Sequence, residues 1–269
     1  MVRNVLIVIL GCMTAVLSGC NGGHDEIPIW EQVKMTDLAP STNGRGPSSQ
    51  FIKTINFDIY TIEIPVESID TLETIWPMLH TKPILLNNQK VFKANSFVAG
   101  FGQIRMWDQI RELLTAVGSR SAGTLSLLIP ANEYGNLTIA RLRDEQNIFY
   151  TSPSGSPEAA ATGPGKVILR IRPEIVRGER DLCNAKIAPV FSPFLRGRLL
   201  PPTKQERESN DIVFKSVGFA SKMNPGAFIL LGPKEYIDNE VTLGGLFFSR
   251  FRPREVVRIY LIVCTGIFY

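Results

Sequence analysis

The sequence predicts an α+β protein: a small two-helix α/β module followed by a mainly antiparallel, sandwich-like β-domain. Three observations predict it. Residues 51–119 run strand, helix, short strands, helix, with both helical segments carrying apolar residues three and four apart. From Gly123 onward the pattern changes to short β-branched and aromatic stretches separated by turn residues. Between those stretches nothing repeats at helical spacing.

The elements follow in order. Residues 55–64 have the bias of a strand, with Ile55, Phe57, Ile59, Thr61 and Glu63 on one face and Asp58, Tyr60, Ile62 and Ile64 on the other. Ile69, Leu72, Ile75, Trp76 and Leu79 then follow helical spacing, with Ser68 as a cap and Pro77 as the stop. Short strands are expected at 84–86, 90–92 and 96–99. The clearest helix spans 103–117, with Ile104, Trp107, Ile110, Leu114 and Val117 on one stripe and Gly118 as its terminator. Strands are then expected at 124–129, 136–142, 147–150, 166–174, 211–221, 227–231, 246–251 and 256–264. Residues 152–165 and 196–210 read as loops, because neither has apolar mass to bury. The domain order is therefore 1–19, 20–50, 51–119 and 120–269.

The first segment is a signal peptide by its pattern: a positive charge at Arg3, an apolar run from Val5 to Leu17, then Leu17-Ser18-Gly19-Cys20. A run of about 13 apolar residues is short of the roughly 20 that a spanning helix needs. Residues 20–50 are rich in Gly, Pro, Ser and Asn and read as a flexible tether.

Composition narrows the chemistry. Residues 1–19 hold one base and no acid, so the remainder carries 28 Lys and Arg against 25 Asp and Glu. That balance, with no basic run, gives no nucleic-acid face. The two histidines are His24, in the tether, and His80, which precedes Thr81-Lys82-Pro83 and reads as structural. No metal site and no cofactor is expected, since His is the commonest general base and zinc ligand and neither His has a partner motif. No catalytic residue is assigned and the chain is read as a non-enzyme. A hydrolase would have to use His80, and no Gly-x-Ser-x-Gly elbow is present. Cys12 leaves with the signal, which leaves Cys183 and Cys264 either as a disulfide or as two buried thiols.

Leu17-Ser18-Gly19-Cys20 resembles the lipobox of bacterial lipoproteins. The resemblance implies cleavage before Cys20, a thioether-linked diacylglycerol on its sulfur, and palmitate-type acylation of its amine. Asn21, rather than the Asp of inner-membrane retention, implies an outer-membrane anchor facing the periplasm. Several acyl chains hold a protein far more firmly than one.

A second resemblance lies in the folded part. Asn95-Ser96-Phe97-Val98-Ala99-Gly100, followed by the helix Gln-Ile-Arg-x-Trp-x-x-Ile-Arg-x-Leu-Leu, resembles the periplasmic N-domains of secretins, the ring-forming outer-membrane channels. Four later stretches come in the family's order. Gly165-Lys166-Val167-Ile168-Leu169-Arg170-Ile171-Arg172-Pro173-Glu174-Ile175 is similar to the strand ending in Val-x-Pro-x-Ile, and Asn224-Pro225-Gly226 through Gly232 to the Asp-Gly-x-x-x-x-Leu-Gly-Gly segment. Leu243-Gly244-Gly245-Leu246-Phe247-Phe248 is similar to Leu-Gly-x-Leu-Phe, and residues 255–263 to the closing Glu-Leu-x-Ile-x-Ile strand. The Val-Pro-x-Leu and Ile-Pro stretches of the family are absent.

Two functional classes follow. One is a lipid-anchored assembly component, secretin-like and self-assembling into a ring or bound to protein partners. The other is a monomeric periplasm-facing lipoprotein that binds a protein partner or the cell wall. The terminal Ile267-Phe268-Tyr269 is read as a strand ending in core aromatics.

Overall fold

A strand of alternating character needs a partner on each side, and residues 54–65 find theirs at opposite ends of the chain. The computed structural model describes residues 52–179, 181–194, 209–251 and 254–269. Strand β1 (Thr54–Pro65) pairs antiparallel along its whole length with β14 (Val256–Phe268) on one side, and from Thr54 to Glu63 with β4 (Arg120–Pro130) on the other. Beyond β14 lie β12 (Ala227–Gly232) and then β3 (Val98–Gln103), so the first sheet runs β3-β12-β14-β1-β4. The short β13 (Ser249–Arg250) also pairs with β14.

The second sheet runs β2-β11-β9-β8-β5, from β2 (Ile84–Leu86), β11 (Phe219–Met223), β9 (Cys183–Pro193), β8 (Gly165–Ile175) and β5 (Gly135–Leu142). The two-residue β10 (Ile212–Val213) pairs with β9. A third, two-stranded sheet is the hairpin of β6 (Gln146–Thr151) and β7 (Pro157–Thr162).

Packing follows from parity, because alternate side chains of a strand face opposite ways. Phe57 and Ile59 of β1, Ile229 and Leu231 of β12, and Tyr260 and Ile262 of β14 share one core with Val167, Leu169 and Ile171 of β8 and Ala185 and Ile187 of β9. The opposite parity of the first sheet, including Ile62, Ile64, Phe228, Leu230, Ile259 and Leu261, is covered by helices. These are α1 (Thr71–Ile75), through Leu72 and Ile75, and α3 (Ile104–Ala116), through Ile110 and Leu114. Strand β12 is thus buried on both faces, and β14 is buried on both faces along most of its length, with Arg258 as the charged exception.

The expected fold class is corrected by this arrangement. The molecule is mostly antiparallel β in three sheets, not a two-helix α/β module followed by a sandwich. Strands from both sides of residue 120 are hydrogen-bonded in the first sheet, and the helices lie on that sheet's outer face. Strand periodicity reports which residues face inward. It does not report which distant strand lies alongside.

Four local expectations also change. Residues 90–92 lie in α2 (Gln89–Ala94), whose N-cap Asn88 accepts through Oδ1 from the backbone N–H groups of Lys90 and Val91 at 3.1 and 3.2 Å. The 246–251 strand begins instead as α4 (Leu243–Phe248), capped by Thr242 accepting from the Gly245 N–H at 3.1 Å. The 211–221 strand is broken by a 3₁₀ turn over Lys215–Val217. Within the expected loop 152–165, β7 pairs with β6. The signal peptide, Cys20, the tether and most of the 196–210 connector lie outside the described residues.

Candidate interaction surfaces

The first surface is a sheet edge. Among the described residues strand β4 ends the first sheet, paired with β1 on one side, and its residues 120–124, Ser126 and Leu128 are exposed. Leu128 is 62 % accessible. An edge strand presents a row of N–H and C=O groups that can pair with another chain, and proteins commonly blunt such edges with charge or proline. From Ser121 to Ile129 the strand has neither. The other end of the same sheet is better closed, because His80 exchanges backbone hydrogen bonds of 2.8 Å in both directions with Phe101 of β3.

The second surface adjoins the first. A groove of about 610 Å³ lies beside α3, large enough to take a few apolar side chains. Trp107 and Leu114 of α3 form one wall, Tyr60 and Ile62 of β1 and Leu261 and Val263 of β14 the floor. Arg111 and Arg120 stand at its rim, each already paired, with Asp108 at 3.0 Å and Glu63 at 2.9 Å. The groove exists because α3 covers only part of the first sheet's outer face.

A charged cluster fixes the end of that sheet. Glu63, 2 % exposed, is the inward-parity residue of β1 and stands opposite Arg258 of β14 and Arg120 of β4. Its Oε2 accepts from Arg120 Nε at 3.0 Å, and its Oε1 from Arg250 at 3.0 Å and Arg258 at 3.3 Å. Burial works to raise its pKa. The hydrogen bonds from Arg250, Arg120 and Arg258 outweigh it and hold the carboxyl below its ordinary value. A glutamate on the parity that carries Ile55, Phe57 and Ile59 was the available signal for this cluster.

The residues singled out by sequence fall in different places. Cys183 and Cys264 come together as buried free thiols in the core between the two sheets. His80 acts through its backbone. Of the four motif stretches, one is β8 in the second sheet, and two lead into the adjacent β12 and β14 of the first. The Leu243-Gly244-Gly245 stretch is helical and packs on Asn95 and Ser96. Asn95 itself is buried and mimics a strand. Its Nδ2 donates to the Thr151 carbonyl at 2.9 Å and its Oδ1 accepts from the Thr151 N–H at 2.7 Å, which pins the β6–β7 hairpin to the end of α2. Phe268 and Tyr269 stand about half exposed rather than in the core, while Ile267 is buried. Among the described residues no group of His, Cys, Asp and Glu is arranged to hold a metal, and no helix is long and apolar enough to cross a membrane.

No protein family matches the chain, and no curated protein matches it. Among solved structures, 80 % of the chain aligns at 9 % identity and a TM-score of 0.22 with 58 % of the type IV competence pilus secretin PilQ of V. cholerae. It also aligns over 79 % of its length with 61 % of the InvG secretin domain β-barrel from the Salmonella SPI-1 injectisome, at 10 % identity and a TM-score of 0.21. For Aeromonas hydrophila ExeD the values are 80 % of this chain, 47 % of that one, 12 % identity and 0.22. The chain is similar to these over about half of their length.

Proposed function

We propose that this chain is a lipid-tethered envelope component of secretin-like character that works by assembly rather than by catalysis. In this reading Cys20 carries the lipid, residues 20–50 form the tether, and the folded part faces the periplasm from the outer membrane. It joins neighbouring copies or protein partners there. The observation that carries the reading is the β4 edge, open among the described residues: nine consecutive residues, Ser121 to Ile129, without a charge or proline. Pairing with a strand of a neighbouring subunit satisfies the backbone groups of such an edge. The order of the four motif stretches supports the same class.

The test is particle mass in native membranes, for the wild type and for Thr124→Lys, which puts a charge at the centre of the edge. A particle of many times the 29.9 kDa chain mass, reduced by Thr124→Lys, is the expected result. A wild-type chain that runs as a monomer overturns it.

A second reading is favoured by the groove beside α3. A monomeric lipoprotein would there receive an apolar segment of a partner, Trp107 and Leu114 supplying the wall. Under this reading Trp107→Ala abolishes capture of the partner while Thr124→Lys does nothing.

A further inference from the structure

The two thiols stand at the place where the chain crosses from one sheet to the other. Cys183 opens β9 in the second sheet and pairs there with Met223, the last residue of β11. The chain then turns through Asn224 and Pro225 into β12 of the first sheet, and the Gly226 N–H donates to the Cys264 carbonyl at 2.8 Å. One short turn is therefore tied to both cysteines, through Met223 on one side and Gly226 on the other.

Parity directs both side chains to the same interior. Cys183 shares its face with Ala185 and Ile187, and Cys264 shares its face with Tyr260 and Ile262, all in one core cluster. Stacked sheets lie about 10 Å apart, whereas a disulfide holds its Cα atoms within about 4.4–6.8 Å, so most facing positions of a sandwich cannot be bridged. A crossing turn draws strand ends closer than the middle of the sandwich allows. The two thiols lie against each other, the contact raising the Cys183 thiol and lowering that of Cys264, and both are wholly buried, so an oxidant reaches them before the two sheets close.

We infer that Cys183 and Cys264 form a disulfide that joins the two sheets, made while the chain folds. The bond lies in the interior of one copy and does not depend on assembly. An exogenous disulfide of the glutathione or dithiol-oxidase class is the oxidant. The thiolate of one cysteine attacks it, forms a mixed disulfide and expels the first thiolate. The thiolate of the second cysteine attacks the protein sulfur of that mixed disulfide and expels the other. Two protein thiols become one bond, one exogenous disulfide becomes two thiols, and the two protons pass to the leaving groups.

The experiment refolds the full chain from urea in oxidised and reduced glutathione, alkylates it under denaturing conditions and maps the peptides by mass. The expected result is one cross-linked pair joining the peptides of Cys183 and Cys264, resolved from any species involving Cys12 or Cys20. Closing a loop of about 80 residues should also raise the melting temperature on the order of 10 °C, a shift that reductant removes and that Cys264→Ser lacks. Recovery of both cysteines alkylated, or each bound to glutathione, overturns the inference. Because the mapping and the reductant comparison use the wild-type chain, the disulfide remains testable even if Cys264→Ser does not fold.

Discussion

Glu63 faces Arg258 across the paired strands β1 and β14, its Oε1 accepting from the Arg258 Nε at 3.3 Å, and Arg250 donates to the same oxygen at 3.0 Å. The carboxylate is buried while its partners reach toward solvent. Removing its charge leaves three guanidinium groups facing one another. Glu63→Gln should therefore destabilise the fold by about 2–4 kcal/mol, less than a fully buried pair would lose because Arg120 and Arg250 are partly solvated.

The same group sets an acid limb. Its folded pKa lies below the ordinary 4.5, so the unfolded chain binds the proton first as the solution is acidified. The stabilisation is fully present above about pH 4.5 and is lost as pH falls through the folded value. Urea melts at pH 7 and pH 3.5 should show a gap between wild type and Glu63→Gln that is wide at pH 7 and narrower in acid. An equal gap at both would show that the charge is not what the arginines hold.

Tyr260 is wholly inside the sandwich, and its hydroxyl donates to the Phe247 carbonyl at 2.8 Å. This bond ties β14 to α4. Tyr260→Phe keeps the ring and strands the carbonyl, so a loss of about 1–2 kcal/mol in urea denaturation is expected with no change in secondary structure by circular dichroism.

Asn95 lies in the stretch that resembles secretin N-domains, and its amide completes a strand-like pairing with Thr151. Asn95→Asp keeps the shape and the acceptor but replaces the donor with a second acceptor facing the Thr151 carbonyl. Hydrogen exchange should show faster opening of residues 146–162 in Asn95→Asp, and a global loss of about 2–3 kcal/mol from an unpaired buried carbonyl beside a charge.

Two glycines make a paired control. A Cβ on Gly102 would lie 2.3 Å from the Phe228 ring, whereas one on Gly123 meets nothing within 4 Å. Gly102→Ala should cost about 1–3 kcal/mol by overpacking, and Gly123→Ala should stay within about 0.5 kcal/mol of wild type. Thermal melts of the two variants side by side decide it.

Sequence legibility followed the length scale of each interaction. Strand β1 and helix α3 were legible because their faces are set by neighbours two, three and four residues away. Strands β12 and β14 were legible as strands, but not as strands buried on both faces, because the helices that cover their second face lie far away in sequence. Helices α2 and α4 were not legible. Each is six residues long, too short for a periodic signal, and each depends on a single cap, Asn88 or Thr242. In α4 the two glycines argue against a helix by propensity. They are there because a Cβ on Gly244 would lie 2.6 Å from the Asn95 carbonyl oxygen and one on Gly245 1.8 Å from that of Asn239. The same limit hid the candidate surfaces. An edge on β4 is defined by what fails to pair with it, whereas Cys183 and Cys264 were named as a pair by elimination, without the crossing turn that brings them together.

Strand β1 pairs with β14 from Thr54 to Pro65, with one shift in register between Asn56 and Phe57, and that pairing sets a timetable for the molecule. At about 5–20 residues per second, the roughly 200 residues between them are made over about 10–40 s. Until then β1 lacks one of its two neighbours, and the core beneath it has no lid. Contacts this distant in sequence also form slowly once both strands exist. Throughout that interval Phe57 and Ile59, which the finished sandwich buries, lack their cover, so the order of synthesis leaves the core of this fold exposed longest at its first strand.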